Sequence, residues 1–269
     1  VSIKPAGEAG GAYAVNRLRL ILDPLALATG RIQVNSIGVD GARLIAGVGP
    51  GFGFSDLGHF RVDSLDQRIE QAFEAVDRVG GVLANRGTRS IVLENIQLGE
   101  ELSGFTVDRA ELTGRAEDEF DIEATLSLKG REFAVSVHAT KGERDDLSRL
   151  DASVRGLPVD YASDGLERRA MGLETRVDIE ASATRATPEG VPALELTIDG
   201  EPGAMMLGGV AAELREFRTA MSYQPEQRKI EILPSLLRIG DTRLPFNGGL
   251  IDIDNVPDTT EVNRSYPGI

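Results

Sequence analysis

From about Phe105 to Ile253, apolar and polar residues alternate along the chain almost without a break. In "FDIEATLSLKG", Phe120, Ile122, Ala124, Leu126 and Leu128 share one phase, and Asp121, Glu123, Thr125, Ser127 and Lys129 share the other. Successive side chains of a strand point to opposite faces, so such a segment carries one apolar and one wet face. "REFAVSVHATKG" repeats the pattern with Phe133, Val135, Val137 and Ala139; "RVDIEASATRA" does so with Val177, Ile179, Ala181 and Ala183, and "ALELTIDG" with Leu194, Leu196 and Ile198. Turn signals separate these runs at Lys129-Gly130, Lys141-Gly142, Pro188-Glu189-Gly190, Asp199-Gly200 and Pro225-Glu226. The pattern predicts a mainly β chain built on a long antiparallel sheet, with wet-face positions such as Glu123 and Asp178 open to charge changes. It does not distinguish an open apolar groove from the filled core of a β-sandwich, which also buries one face of each sheet.

The first third is organised differently. Residues 1–12, rich in Gly, Ala and Pro, predict a flexible lead-in. Leu18, Leu20 and Leu22 mark a strand stopped by Asp23-Pro24, and a phase change at Asn35-Ser36 predicts a bulge in the next strand. In "SLDQRIEQAFEAVDRVGGVLANRG", Leu65, Ile69, Ala72, Phe73, Val76, Val79 and Leu83 recur at spacings of three and four. This is the apolar stripe of an amphipathic helix over about 64–85, with Ser64 and Gln67 as a capping box and Gly80-Gly81 or Gly87 as its stop. The stripe predicts burial against a face or end of the sheet. "SIVLENIQL" and "FTVDRAELTG" return to strand, and residues 158–172 predict a longer connection. The organisation expected is a β-α-β cap over 13–100, the sheet over 101–256, and a tail or onward connection over 257–269.

Composition narrows the setting. The chain has 269 residues, no Trp and 5% aromatics, so its apolar face is built mainly from Val, Ile, Leu and Ala. A net charge of −14 disfavours nucleic acid, whose phosphates need clustered Lys and Arg, and adsorption of the whole surface to anionic lipid. Cysteine is absent, which excludes disulfides and Cys-based zinc sites. No stretch approaches the roughly 20 apolar residues of a membrane-spanning helix. The first residue is Val1, with no basic and apolar signal sequence before it, which predicts a processed or trimmed piece of a longer chain.

Catalytic signatures are weak. The run "AGVGPGFGFSDLG" has the glycines of a phosphate loop without its Lys-Ser/Thr pair, and predicts a loop between strands, with Phe52 and Phe54 packed beneath it. His59 and His138 stand in unrelated segments, and His138 lies in the polar phase of its strand. Neither has metal-ligand or triad spacing. The acidic clusters at Glu117, Asp118 and Glu119 and at Glu143, Asp145 and Asp146 fall at turns, as solvated charges do. No enzyme is expected.

"RLRLILDPLALATGRIQVNSIGVDGARLIAG" resembles the start of AsmA-like proteins, a strand, a "DPLALATGRI" connection, then a strand ending "VDGARL". The helix "LDQRIEQAFEAVDR" followed by "RSIVLENIQL" continues in the family's order, and "LRIGDTRLPFNGGLIDID" is similar to its recurring strand pair. The resemblance is to the YhdP- and TamB-like branch of the AsmA superfamily in its alphaproteobacterial form. It implies a membrane-proximal fragment of a bridge-like lipid transfer protein, periplasmic and tethered to the bacterial inner membrane by a segment upstream of Val1. The implied fold is a long curved sheet forming an open groove, a β-taco, and the implied role is outer-membrane biogenesis by carrying phospholipid or another acyl-chain lipid between inner and outer membranes. On that reading Phe120, Ile122, Leu126, Leu128, Phe133, Val135, Val137, Val177, Ile179, Leu194, Leu196 and Ile198 line the groove, with no metal and no cofactor. The alternative is a structural or outer-membrane assembly scaffold with a filled β core.

Overall fold

Alternation builds strands wherever it was read, and it builds them into a single sheet. The computed structural model describes residues 2–3, 13–44, 62–84, 88–98, 105–115, 118–142, 147–162, 172–187, 190–207 and 210–251. It has fourteen strands: β1 (Ser2–Ile3), β2 (Tyr13–Leu22), β3 (Val34–Leu44), β4 (Ser90–Leu98), β5 (Phe105–Gly114), β6 (Glu119–Leu128), β7 (Arg131–Lys141), β8 (Leu147–Ala162), β9 (Gly172–Thr184), β10 (Ala193–Gly200), β11 (Gly203–Leu207), β12 (Val210–Gln224), β13 (Lys229–Ile239) and β14 (Thr242–Ile251). Among the described residues two α-helices interrupt them, α1 (Pro24–Ala28) and α2 (Val62–Ala84), with a 3-10 turn at Pro225–Gln227. The chain is mainly β with one principal helix, in one long curved sheet whose spatial order follows the sequence. β10 and β11 occupy one lane end to end, each paired with both β9 and β12, and the lane breaks at Glu201-Pro202 because proline has no N–H for a ladder.

The sheet is mixed, not wholly antiparallel. β3 and β4 run parallel, and α2 lies in the crossover that joins them, as parallel neighbours require. All the other pairs are antiparallel. β4 bonds β5 directly, so the sheet passes without a break between the regions 13–100 and 101–256. Ser2–Ile3, within the lead-in, pair with Ala14 and Tyr13.

Local chemistry sets the joints. Lys129 and Gly130 both take positive φ, 51° and 78°, the two-residue turn whose twist suits a β-hairpin, and they close β6 on β7. The phase change at Asn35 is a bulge, since Ile21 faces Ser36 and Leu22 faces Val34. Gly156, at φ +70°, makes another in β8, and its N–H bonds Asp178 Oδ1 at 2.7 Å. Pro158–Ala162 are strand, paired with Arg176–Gly172, rather than part of a connection, because the Gly156 bulge resets the phase and hides the alternation.

α2 starts at Val62 and runs through Gly80-Gly81 to Ala84, so Ser64 lies inside its first turn and is not the cap. The buried stripe carries Ile69, Phe73 and Gly80, while Ala72 is exposed. Phe73, 1% exposed, joins a core with Leu112, Phe120, Ala139, Ala183, Tyr223 and Ile230. A second cluster, Ala42, Ile96, Val107 and Ala110, sits on β3–β5. The glycine run 47–54 with Phe52 and Phe54, and His59, Glu117, Glu143, Asp145, Asp146 and the tail 257–269, lie outside the described residues.

Candidate functional site

Cross-strand register turns separate alternating segments into a continuous surface. Leu20, Ile37, Ile91, Leu112, Ile122, Val137, Ala152, Ala181, Leu196, Met221 and Ile232 face one another strand by strand from β2 to β13. One step along the strands, Leu18, Val39, Leu93, Ala110, Ala124, Val135, Val154, Ile179 and Ile198 form a second row. A third joins Val107, Leu126 and Phe133 on β5–β7, and Leu157 with Val177 on β8–β9. Opposite residues on one face interact across the pleat, so rows kept in register make an unbroken apolar strip. At about 4.8 Å per strand the path from β2 to β13 is roughly 48 Å long, against about 30 Å for the hydrocarbon core of a bilayer.

Helix α2 covers one margin of this face. The row beneath it is Phe120, Ala139, Leu150, Ala183, Leu194, Tyr223 and Ile230, at the ends of β6 to β13. Contacts step along the helix in lane order: Asp66 accepts from the Tyr223 hydroxyl near the end of β12, and Glu70 Oε1 from Arg185 Nη2 at 2.7 Å beyond β9. Asp77 then stands 3.9 Å from Lys141 Nζ at the end of β7, and Gly80 lies on Phe120 of β6. From Asp66 to Gly80 the helix rises about 21 Å at ~1.5 Å per residue, and the lanes from β12 to β6 span about 24 Å at ~4.8 Å each. The helix therefore lies across the strands along one rim. Gly80 is required at its last contact, where a Cβ would stand 2.5 Å from Phe120 Cε1. Arg185 caps the rim from above, its guanidinium 5.0 Å from the centre of the Phe73 ring.

All twelve residues read from the sequence fall on this one face. Phe120 and Leu194 lie under the helix; Ile122, Val137 and Leu196 share the first row, Val135, Ile179 and Ile198 the second; Leu126, Phe133 and Val177 belong to the third, and Leu128 lies beyond it. Phe120, Phe133 and Val177 are buried, and the other nine are half-buried. The sequence reading missed the β8 members Leu150, Ala152, Val154 and Leu157, and the extensions onto β2–β5 and β12–β13. Leu150, Ala152 and Val154 alternate with Asp151, Ser153 and Arg155, a signal present in the sequence but cut short at Gly156.

The opposite face is a polar ladder with a shallow trough of about 620 Å³. Its central row is Thr113, Asp121, His138, Asp151, Ser182, Glu195, Ser222 and Glu231. Asp121 is shared by Arg115 and by His138 Nδ1, the latter at 2.8 Å. Asp151 accepts from Arg149 Nε at 2.7 Å and from Ser182 Oγ at 2.7 Å. The Arg149 bond holds the Asp151 carboxyl below its ordinary range against the opposing effect of burial, with Ser182 adding to the shift. Asp199 likewise raises Arg218, its Nε bonded at 2.5 Å. Ser182 donates to Asp151 and Ser136 bonds Ser153, so neither serine is poised on the histidine as a triad needs. Among the described residues no group of three His, Asp or Glu has the geometry to hold a metal ion. The pairs stitch strands together and keep this face wet.

No protein-family model matches the chain, and neither does any curated protein or solved structure.

Proposed function

We propose that the apolar face is a lipid-binding surface, and that the chain is the periplasmic conduit module of an AsmA-like protein held at the bacterial inner membrane. There it shields phospholipid acyl chains on their way between inner and outer membranes. One observation carries this reading: the first apolar row stays in register from β2 to β13, and most of its side chains beyond the strip under α2 are half-buried or exposed, although Val107, Ala110 and Val177 in the neighbouring rows are buried. A sandwich core would be filled by a second sheet, and all fourteen strands described here belong to one. An acyl chain gains about 0.8 kcal/mol per methylene removed from water, so covering roughly fourteen offsets on the order of 10 kcal/mol. Aliphatic rows that lack a fixed polar anchor hold every position about equally and let a chain slide. This reading gives no residue a catalytic role and needs no cofactor.

The test is lipid capture. Protein purified without detergent and extracted into organic solvent should release phospholipid in stoichiometric amount by mass spectrometry. Photo-crosslinking residues at Val137 and Ile179 should label with lipid in cells, and those at Glu123 and Glu180 should not. In the full-length protein, Val137→Asp should impair lipid supply to the outer membrane at matched abundance, while Glu180→Arg should not. A lipid-free, fully stable protein with no label at Val137 or Ile179 would make it a structural scaffold.

A further inference from the structure

The corner between β2 and β3 displays apolar side chains on a backbone that is fully organised. Asp23 caps α1 by accepting from the Leu25 and Ala26 N–H groups at 2.8 and 3.1 Å. The helix ends on Gly30 at φ +77°, with Gly30 N–H bonded to Leu27 O and Arg31 N–H to Ala26 O, the paired bonds of a glycine-terminated helix. Asp23 N–H reaches Gln33 O at 2.8 Å and closes the corner. No residue of α1 is buried: Leu25 is 79% exposed, Leu27 53%, and neighbouring Ile32 83%. On β2, Leu18, Leu20 and Leu22 continue the exposed patch toward the edge of the sheet. Patches of this kind on a well-ordered segment mark an interaction site rather than a fraying end.

The charge around the corner identifies the partner. Arg31 stands in the corner itself beside Ile32, and Arg17 and Arg19 project from the β2 edge on the face opposite Leu18 and Leu20, where Arg17 faces Asp40, in a chain whose net charge is −14. Asp23 is already used as the helix cap, and Arg17 Nη1 lies 3.8 Å from Asp40. Leucine and isoleucine beside arginine suit the boundary of an anionic bilayer, where acyl carbon lies beneath phosphate. A second copy of the same corner would set arginines against arginines. We propose that the α1 corner inserts into the headgroup boundary of an anionic phospholipid bilayer, seating the β2 edge of the sheet on that surface. The proposal does not depend on whether the apolar face carries lipid.

Vesicle flotation of the purified chain decides it. The protein should float with vesicles of phosphatidylcholine and phosphatidylglycerol, float poorly with phosphatidylcholine alone, and lose binding as salt rises. The double variant Leu25→Ser/Leu27→Ser should weaken binding about 100-fold, roughly tenfold for each leucine no longer inserted. Arg19→Gln and Arg31→Gln should cost about fivefold each and flatten the salt dependence. These side chains are exposed, so melting temperatures should match the wild type and exclude misfolding as the cause. Flotation of the double variant at wild-type level would overturn the proposal, as would equal binding to both vesicles. So would a concentration-dependent dimer, seen without vesicles and abolished by the double variant, which would make the corner an interface between copies. Val137→Asp should float normally. Loss of flotation with phospholipid still co-purifying would defeat the corner alone, and normal flotation of a lipid-free protein would defeat the conduit alone.

Discussion

Replacing Phe73 with alanine should undock α2 from the rim it covers. The ring is 1% exposed within a cluster drawn from β5, β6, β7, β9, β12 and β13, and the Arg185 guanidinium stacks on it at 5.0 Å. Truncating a buried phenylalanine costs about 3–5 kcal/mol, because the cavity does not fully collapse. Losing the cation–π contact adds about 1 kcal/mol, and removes the ring beneath Arg185, whose side chain is 10% exposed and bonds Glu70. At about 2 °C per kcal/mol for a chain of this size, the melting temperature should fall by roughly 8–12 °C. Calorimetry measures the shift, and hydrogen exchange locates it: the amides of α2 should lose protection before those of β6 to β9. Ala72→Gln, one residue away on the exposed side, should stay within about 0.5 kcal/mol of wild type. A Phe73→Ala melting temperature within about 2 °C of wild type would refute the docking described here.

Gly80→Ala should destabilise the protein although alanine favours helix by about 1 kcal/mol, since the new methyl meets the Phe120 ring and overpacking costs about 1–3 kcal/mol; if so, Phe120→Leu in the same chain should recover part of the loss by thermal melting. Asp151 titrates below its ordinary range chiefly through Arg149, so its contribution is complete above the unfolded carboxyl value near 4 and disappears as pH falls through the lower folded value. Urea midpoints of wild type and Asp151→Asn should therefore converge in acid. A gap between them that does not change with pH would mean that Asp151 acts through shape or neutral hydrogen bonding rather than charge.

The sheet was legible in the sequence because alternation is local: "FDIEATLSLKG" and "REFAVSVHATKG" reveal their faces without knowledge of any partner, and Lys129-Gly130 announces the turn between them. What alternation does not encode is how strands line up, and the rows exist only through register. The bulges at Asn35 and Gly156 show how one extra residue preserves a row that a simple count would break. Asp178 shows the opposite error. Its phase made it an ordinary solvent-facing acid, yet its carboxylate anchors the Gly156 N–H, so Asp178→Arg would disturb β8 as well as the wet surface. The parallel pairing of β3 with β4 was invisible for a related reason, since neither strand's pattern records direction. Gly80-Gly81, read as a stop, lies within the helix because close approach to Phe120 outweighs the weak helix propensity of glycine. The α1 corner reads in the sequence as a plain connection, and only solvent exposure distinguishes displayed leucines from packed ones.

The two proposals meet on one strand. Leu18 and Leu20 begin the two longest apolar rows and also belong to the exposed patch beside α1, so the surface assigned to the bilayer and the surface assigned to acyl chains are the same side chains at β2. α2 seals a margin, not an end: it crosses β6 to β12 along the strand termini and leaves the first row running from β2 to β13. At the far side Ile232 of the first row meets Gly248 on β14, and Leu244 and Phe246 stand exposed further along that strand. A lid over the strand ends would lengthen an acyl chain's shielded path without closing it, whereas a helix across β2 or β14 would have plugged it. This placement gives the apolar face a direction: if both proposals hold, lipid leaves the bilayer at β2 and meets no polar interruption in the first row until β13. Cross-linking to lipid at Leu20, Ile122 and Met221 should then persist in the full-length protein when the corner leucines are intact. It should fall at all three together when Leu25 and Leu27 are serine, since a path loaded at one end empties along its whole length.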